Sequence, residues 1–355
     1  MAKHVRIALI GNSHAEAVQL PTLAHIGGNE VIGIAGHDAQ KAAASAARWG
    51  IDRSTSDWRE LLELEPDLVI VATPVDLHHE MVLGALDTGA AILCEKPFTL
   101  TVRQAEELAR LAQGRLALIN YQMRWNPNRR KIRSLCQSGF VGEVHHVRAD
   151  LLLDISDFPE RPYSWWSQSD RGGGVLGATG THLIDNVQWM FGPIQAVSAR
   201  LETVVPRRRD AAGVEHDVTS EDYAELWLRL ESGARISLAV GFGLRGVARW
   251  VLEVAGSAGT LRLDREQHLV GGPHGAELAP IPSDTPWLPP EHYGIQGKGP
   301  FAALEGPFLS AVVDAVANGQ TTLAEAATFA DGVNNVRVLE AARRSSRADG
   351  SWVSC

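Results

Sequence analysis

A short apolar run that ends in glycine and leads into a helix can cradle a phosphate, because helix-start N–H groups must come close to the anion. Here the run Val5–Ile10 leads into Gly11-Asn12-Ser13-His14-Ala15-Glu16. Gly11 fits the first position of a GxGxxG turn, while Ser13 and Glu16 stand in the second and third. Serine is small enough for close approach, and a glutamate is tolerable there if it points to solvent. Read alone, these residues fit an ordinary strand–helix turn equally well. The second apolar strand ends in Ala35-Gly36-His37-Asp38. Gly36 occupies the place of the carboxylate that usually grips an adenosine ribose, and Asp38 is better suited to capping the next helix. Without that acid a 2′-phosphate meets no repulsion, and His37 or Lys41 can approach it. A dinucleotide site built this way leans toward NADP.

Two later stretches are more specific. Pro66-Asp67-Leu68-Val69-Ile70-Val71-Ala72-Thr73-Pro74 leads to Leu77-His78, and about twenty residues on comes Cys94-Glu95-Lys96-Pro97. Further along stand Tyr121-Gln122-Met123-Arg124-Trp125-Asn126-Pro127, Gly139-Phe140-Val141-Gly142-Glu143-Val144, and a glycine-rich stretch from Gly172 to Asp185. Together these resemble the Gfo/Idh/MocA oxidoreductases, the family of glucose–fructose oxidoreductase and inositol dehydrogenase, over nearly the whole chain.

The resemblance implies NAD(P) as cofactor and a small carbohydrate-like substrate. In the family, the lysine matched by Lys96 lies in a Glu-Lys-Pro turn whose Lys-Pro bond is commonly cis, an isomer tolerated mainly before proline. Lys96 is thereby implied as the carrier of the hydroxyl proton while hydride passes to nicotinamide. Burial and the positive charge of the oxidised ring both lower a lysine's pKa toward that task. Glu95 is placed by the nicotinamide ribose, with Thr73, Pro74, His78 and Pro97 around the cofactor. His182 matches the histidine that contacts the reacting hydroxyl, and Asp185, one turn later, either orients that ring or pairs inside its own helix. Tyr121 and Arg124 match the pocket edge. Trp165-Trp166 stand where relatives often show Trp-Arg near the nicotinamide; Trp166 can stack on a sugar face or serve as plain core.

Ala178 is the main departure, since the family usually has a catalytic aspartate there and alanine can neither move a proton nor orient an imidazole. Three explanations compete. Lys96 and His182 suffice, with Thr179 orienting the substrate; or the substrate needs less help; or the protein binds without turnover. The leading reading is a dehydrogenase or reductase acting on a secondary alcohol or ketone of a sugar, cyclitol or related polyol. The alternatives are a non-catalytic NAD(P) and metabolite sensor, and an NAD-dependent glycosidase of the same fold.

These residues must be held by something. Up to Asn120 the sequence alternates continuous Val/Ile/Leu runs with amphipathic helical stretches, which predicts an α/β Rossmann domain with a doubly wound parallel sheet. After Tyr121, serial strands joined by glycine-rich turns predict an α+β domain with a large, mostly antiparallel open sheet. The expected division is 1–122 for the dinucleotide domain and 123–355 for the substrate domain, with the C-terminal helix able to pack back on the first. Asp154–Arg171 reads as a long irregular stretch and Gly271–Gly299 as a loop lid or interface arm.

The 355 residues carry 33 basic and 42 acidic side chains, a formal net charge of −9, which argues against a nucleic-acid surface. Two basic runs, Arg129-Arg130-Lys131 with Arg133 and Arg207-Arg208-Arg209, read as a solvated helix face and a loop tip. Three cysteines, Cys94, Cys136 and Cys355, without CxxC spacing predict no disulfide framework and no metal site. The expectation is a cytoplasmic protein without a membrane span. By resemblance it is a homodimer or homotetramer assembled through the C-terminal sheet.

Overall fold

The computed structural model describes residues 3–155, 157–298 and 300–355; Ser156 and Gly299, within the two expected loops, lie outside them. The first elements are β1 (Val5–Ile10), α1 (Leu20–Ile26), β2 (Asn29–Ala35), α2 (Ala39–Trp49), β3 (Ser54–Thr55) and α3 (Arg59–Leu62). Next come β4 (Leu68–Val71), α4 (Val75–Asp87), β5 (Ala91–Cys94), α5 (Val102–Leu111) and β6 (Ala117–Ile119). The middle of the chain forms α6 (Pro127–Gln137), β7 (Val144–Leu153), α7 (Thr181–Phe191), β8 (Ile194–Glu202), β9 (Arg207–Arg209) and β10 (Glu215–Asp217). It continues with β11 (Tyr223–Leu230), β12 (Arg235–Phe242), β13 (Arg249–Gly256), β14 (Gly259–Leu263), β15 (Leu269–Pro273) and β16 (Ala279–Pro280). The chain closes with α8 (Glu305–Ala317), β17 (Ala327–Thr328), α9 (Phe329–Arg347) and β18 (Val353–Ser354).

Two compact units result: Met1–Asn126 with Trp287–Val333, and Pro127–Pro286 with Asn334–Cys355. The second expected domain is therefore not continuous. The physical reason is α8, which buries Phe308, Leu309, Val312 and Val313 in the core of the first unit, and β17, which pairs with β6. Amphipathicity marks such a helix in the sequence but does not say which core receives it.

The first unit is the predicted doubly wound sheet, in the order β17-β6-β5-β4-β1-β2-β3. All its pairs are parallel except β17 on β6. All four residues of β4 are buried, as a strand covered on both faces requires. Strand order reverses at β1 and β4, so their carboxyl ends flank the crevice where open α/β sheets take ligands.

The second unit holds a nine-stranded sheet, β16-β15-β14-β13-β7-β12-β11-β8-β18, antiparallel except where β7 meets β12. In β11, Ala224, Leu226, Leu228 and Leu230 are buried while Glu225, Trp227 and Arg229 are exposed, the alternation of a sheet covered on one side.

Three local expectations change. Part of the Gly271–Gly299 stretch extends the sheet as β15 and β16. Arg129 is not solvated; it is buried, donates from Nη1 to Asn186 Oδ1 at 3.0 Å, and lies 5.9 Å from the Trp250 ring centre. Its burial pulls the guanidinium pKa down to about 9. Arg208 sits in β9 rather than at a loop tip, and its buried Nη1 donates to the carbonyls of Phe158 (2.6 Å) and Arg161 (3.0 Å). The irregular Asp154–Arg171 stretch thus gains an internal arginine that satisfies its backbone. Among the described residues no helix is long and apolar enough to cross a membrane.

Candidate functional site

At the switch point the chain leaves β1 through Gly11, whose φ is +110°. A Cβ there would lie 2.2 Å from the carbonyl oxygen of Ala72, so only glycine lets the turn pass so close to the end of β4. The Asn12 side chain lies beside Gly36, where an added Cβ would come within 3.0 Å of Asn12 Cγ. Ser13 is exposed. Ser13 and His14 are the first helical residues, and they run through a π-helical turn, Ala15–Gln19, into α1. A helix start beside a glycine cradle fits the diphosphate of a dinucleotide. Asp38 caps α2 as expected, accepting from the backbone N–H groups of Gln40 and Lys41 at 3.1 Å each. His37 is exposed and Gly36 half-buried.

The turn after β5 carries Glu95, Lys96 and Pro97, and the Lys96–Pro97 bond is cis. His78 of α4 is wholly buried behind it. Its Nδ1 faces the carbonyls of Pro97 (3.1 Å) and Phe98 (3.2 Å), and its Nε2 faces that of Thr73 (2.9 Å). Burial lowers its pKa. Sequence matching made His78 a cofactor contact; its place makes it the tie between the Thr73-Pro74 turn and the Lys96-Pro97 turn.

Glu95 is buried, and its Oε1 accepts from Gln19 Nε2 at 2.9 Å and Asn120 Nδ2 at 2.6 Å. Asn120 Nδ2 also donates to Glu305 Oε1 at 2.9 Å. Burial lowers the pKa of Lys96, against the opposing pull of Glu95 and Glu305. Burial, reinforced by Glu95, pushes the carboxyl of Glu305 up to about 8. His14 is pulled down by burial although Glu95, 3.5 Å from its Nε2, opposes this. Glu305 belongs to no motif, and its only trace in the sequence is an acid at the start of a strongly apolar helix. Donor atoms of His14, Glu95 and Glu305 lie within 4.8 Å of one another. Amide N–H groups from Gln19 and Asn120 already point at these carboxylates, an arrangement that suits a proton better than a metal cation.

Tyr121 and Arg124 are buried. Arg124 Nη2 pairs with Asp331 Oδ1 at 3.1 Å, so the expected pocket-edge arginine is bound to the start of α9.

In the second unit, Gly174 (φ +106°) opens the segment that carries the other expected residues. A Cβ on Gly174 would lie 2.4 Å from Glu221 Oε1. Glu221 clamps the next two residues: its side-chain Oε1 accepts from Leu176 N at 3.0 Å and its carbonyl from Val175 N at 2.9 Å. Ala178 and Thr179 are half-buried in a π-helical turn, Leu176–Gly180, directly before α7. His182 and Asp185 are buried in the first turns of α7, three residues apart and so on neighbouring positions of one face. Thr181 and Asn335 hold that start, exchanging Thr181 Oγ1 to Asn335 Oδ1 (2.7 Å) and Asn335 Nδ2 to the Thr181 carbonyl (2.8 Å). Trp165 and Trp166 are half-buried in a short 3-10 turn. Trp166 stacks on Phe242 (centroids 6.1 Å, 9° between planes) and meets Phe158 edge-on at 5.5 Å, which favours the packing role.

A glycine-cradled helix start at the switch point of a doubly wound sheet, with a lysine in a Glu-Lys-Pro turn beside it, defines a nicotinamide-dinucleotide oxidoreductase. Residues 5–121 match the oxidoreductase family with NAD-binding Rossmann fold, and residues 129–262 match the Gfo/Idh/MocA C-terminal domain. An uncharacterised oxidoreductase of Synechocystis sp. is 31% identical over 291 residues, 80% of this chain and 77% of its own. Levoglucosan dehydrogenase of Pseudarthrobacter phenanthrenivorans is 28% identical over 348 residues, 90% and 88% of the two chains. A solved levoglucosan dehydrogenase in complex with NADH and L-sorbose superposes with a TM-score of 0.86 over 99% of both chains, at 24% identity, a likeness of fold. The chain belongs to the Gfo/Idh/MocA family and is an NAD(P)-dependent oxidoreductase.

Proposed function

We propose that the protein is a dehydrogenase or reductase for a secondary alcohol or ketone of a sugar, cyclitol or related polyol, with Lys96 carrying the hydroxyl proton. The observation that carries this reading is the place of Lys96: half-buried, in a cis turn at the carboxyl edge of the sheet, next to Glu95. NAD(P), when bound, accepts or supplies the hydride. Gly11, Asn12, Ser13 and His14 hold the diphosphate, and Gly36 and His37 border the adenosine ribose, where the missing acid and exposed His37 favour NADP. Glu95 and Pro97 fix Lys96 toward the nicotinamide end, with Thr73 and Pro74 lining the turn alongside. In oxidation the neutral amine of Lys96 takes the hydroxyl proton as hydride leaves the same carbon; reduction reverses both.

His182 is the second proton-handling group, with Asp185 one turn further along α7 and Thr179 a hydroxyl for substrate in place of the aspartate that Ala178 lacks. Trp165 offers an aromatic face for a sugar. The name of the levoglucosan dehydrogenase relative supports a carbohydrate substrate. The exposed Trp227 on the open face of the second sheet supports a homo-oligomer formed there; the proposed place of action is the cytoplasm.

The test is reduced-nicotinamide absorbance across a panel of sugars and cyclitols with each cofactor. Turnover of at least one polyol, faster with NADP, is expected. Silence across the panel, with cofactor still binding, refutes the assignment.

A further inference from the structure

Glu305 opens α8 and is wholly buried. Two amides tie it to Glu95: Asn120 Nδ2 donates to both carboxylates, and Gln19, which donates to Glu95, hydrogen-bonds Glu305 as well. Three buried oxygens of this cluster, Glu305 Oε2, Gln19 Oε1 and Asn120 Oδ1, have no hydrogen-bond partner among the described residues. All three accept hydrogen bonds, and leaving them unserved is costly. The cluster lacks a donor, and a proton on Glu305 supplies one. The other titratable groups around it are Glu95 and Lys96 from the turn after β5, His14 from the turn after β1, and Tyr293, whose ring lies against Gly306. Lys298 adds positive charge near His14.

We propose that Glu305 is a positioning residue for Lys96: it is tied to Glu95 through the Asn120 and Gln19 amides, and its charge state governs how firmly Lys96 holds its proton. This rests on the reading of Lys96 as the proton carrier. While Glu305 keeps its proton, Glu95 is the one carboxylate of the pair to oppose the ammonium. When Glu305 ionises, at about pH 8, a second negative charge appears near Lys96 and holds its proton more tightly. Alcohol oxidation needs Lys96 without that proton, so ionised Glu305 restrains oxidation in alkaline solution and assists ketone reduction.

The chain has five lysines, Lys3, Lys41, Lys96, Lys131 and Lys298, so carbon-13 labelling at lysine Cε gives a readable NMR spectrum of the cofactor-free protein, with Lys96→Met assigning the signal. The Lys96 midpoint is expected to fall by about one pH unit in Glu305→Gln, a shift proper to two unit charges several ångströms apart. Glu305→Asp should return it toward wild type. In alcohol oxidation the rising limb of kcat against pH should move down with the midpoint. An unchanged midpoint in Glu305→Gln, or equal shifts in both variants, overturns the proposal. Should Glu305→Gln not fold, the wild-type Lys96 resonance must still show a separate step near pH 8, and a single-step titration overturns the proposal too. Coupling seen by NMR in a protein that turns over no polyol would refute the dehydrogenase reading and leave the coupling standing.

Discussion

Replacing Gly11 by alanine tests the fold and the cofactor turn together. The residue sits at φ +110°, where an L side chain costs about 1–3 kcal/mol. The new methyl would also lie 2.2 Å from the Ala72 carbonyl oxygen and 2.6 Å from its carbon, against ordinary contacts of 3.4–4 Å. Both neighbours are backbone, so relief requires β1 and β4 to part, at about 1–3 kcal/mol for a forced shift in a packed sheet. The total, about 4 kcal/mol, is a large part of a stability that for whole domains is about 5–15 kcal/mol. For a unit of roughly 150–250 residues each kcal/mol lowers Tm by about 2–4 °C, so the transition of the first unit should drop by about 8–16 °C. Scanning calorimetry is the assay, since two units need not unfold as one. A titration with reduced cofactor should show weakened binding in the folded variant. A Tm loss below about 3 °C with unchanged cofactor affinity would refute the reasoning.

Three further outcomes rest on named contacts. Gly36→Asp puts a carboxylate at the end of β2, where Asn12 must give by a few tenths of an ångström; NADPH affinity should fall at least about tenfold relative to NADH, and an unchanged ratio would count against the NADP preference. Glu221→Ala leaves Leu176 N without the acceptor it now has at 3.0 Å and should cost about 1–3 kcal/mol, read as a lower Tm of the second unit. Glu305 has a folded pKa raised to about 8 from an ordinary 4.5, so its contribution is fully present below pH 4.5 and is lost as pH rises through 8. Glu305→Gln should therefore match wild type in acid and exceed it by a few kcal/mol above pH 8; parallel stability curves across that range would contradict the assignment.

Most of the first unit was legible because its strands are buried on both faces, and such strands write themselves as unbroken apolar runs, as Leu68-Val69-Ile70-Val71 does. The Asp38 cap was readable for the same local reason: an acid just before a helix accepts that helix's first N–H groups. What stayed hidden depends on distant chain segments. Arg129 and Arg208 look like solvated charge in a basic run, and only the folded chain brings Asn186 to one and the carbonyls of Phe158 and Arg161 to the other. His78 reads as a ligand contact in a motif, yet its neighbours are three backbone carbonyls from two turns. Glu305 shows only as an acid at the start of an apolar helix, because Glu95, which raises its proton affinity, and Asn120, its hydrogen-bond partner 185 positions away, are brought to it only by the fold.

The most direct test of the account is Lys96→Met, which keeps the length of the side chain and removes its proton-carrying amine. Cofactor affinity and steady-state turnover of the best polyol are measured beside wild type across pH. The account predicts nearly unchanged cofactor affinity and a turnover loss of at least about 10²-fold, the usual worth of a positioned acid–base group. Turnover within tenfold of wild type, with the same pH profile, would contradict it.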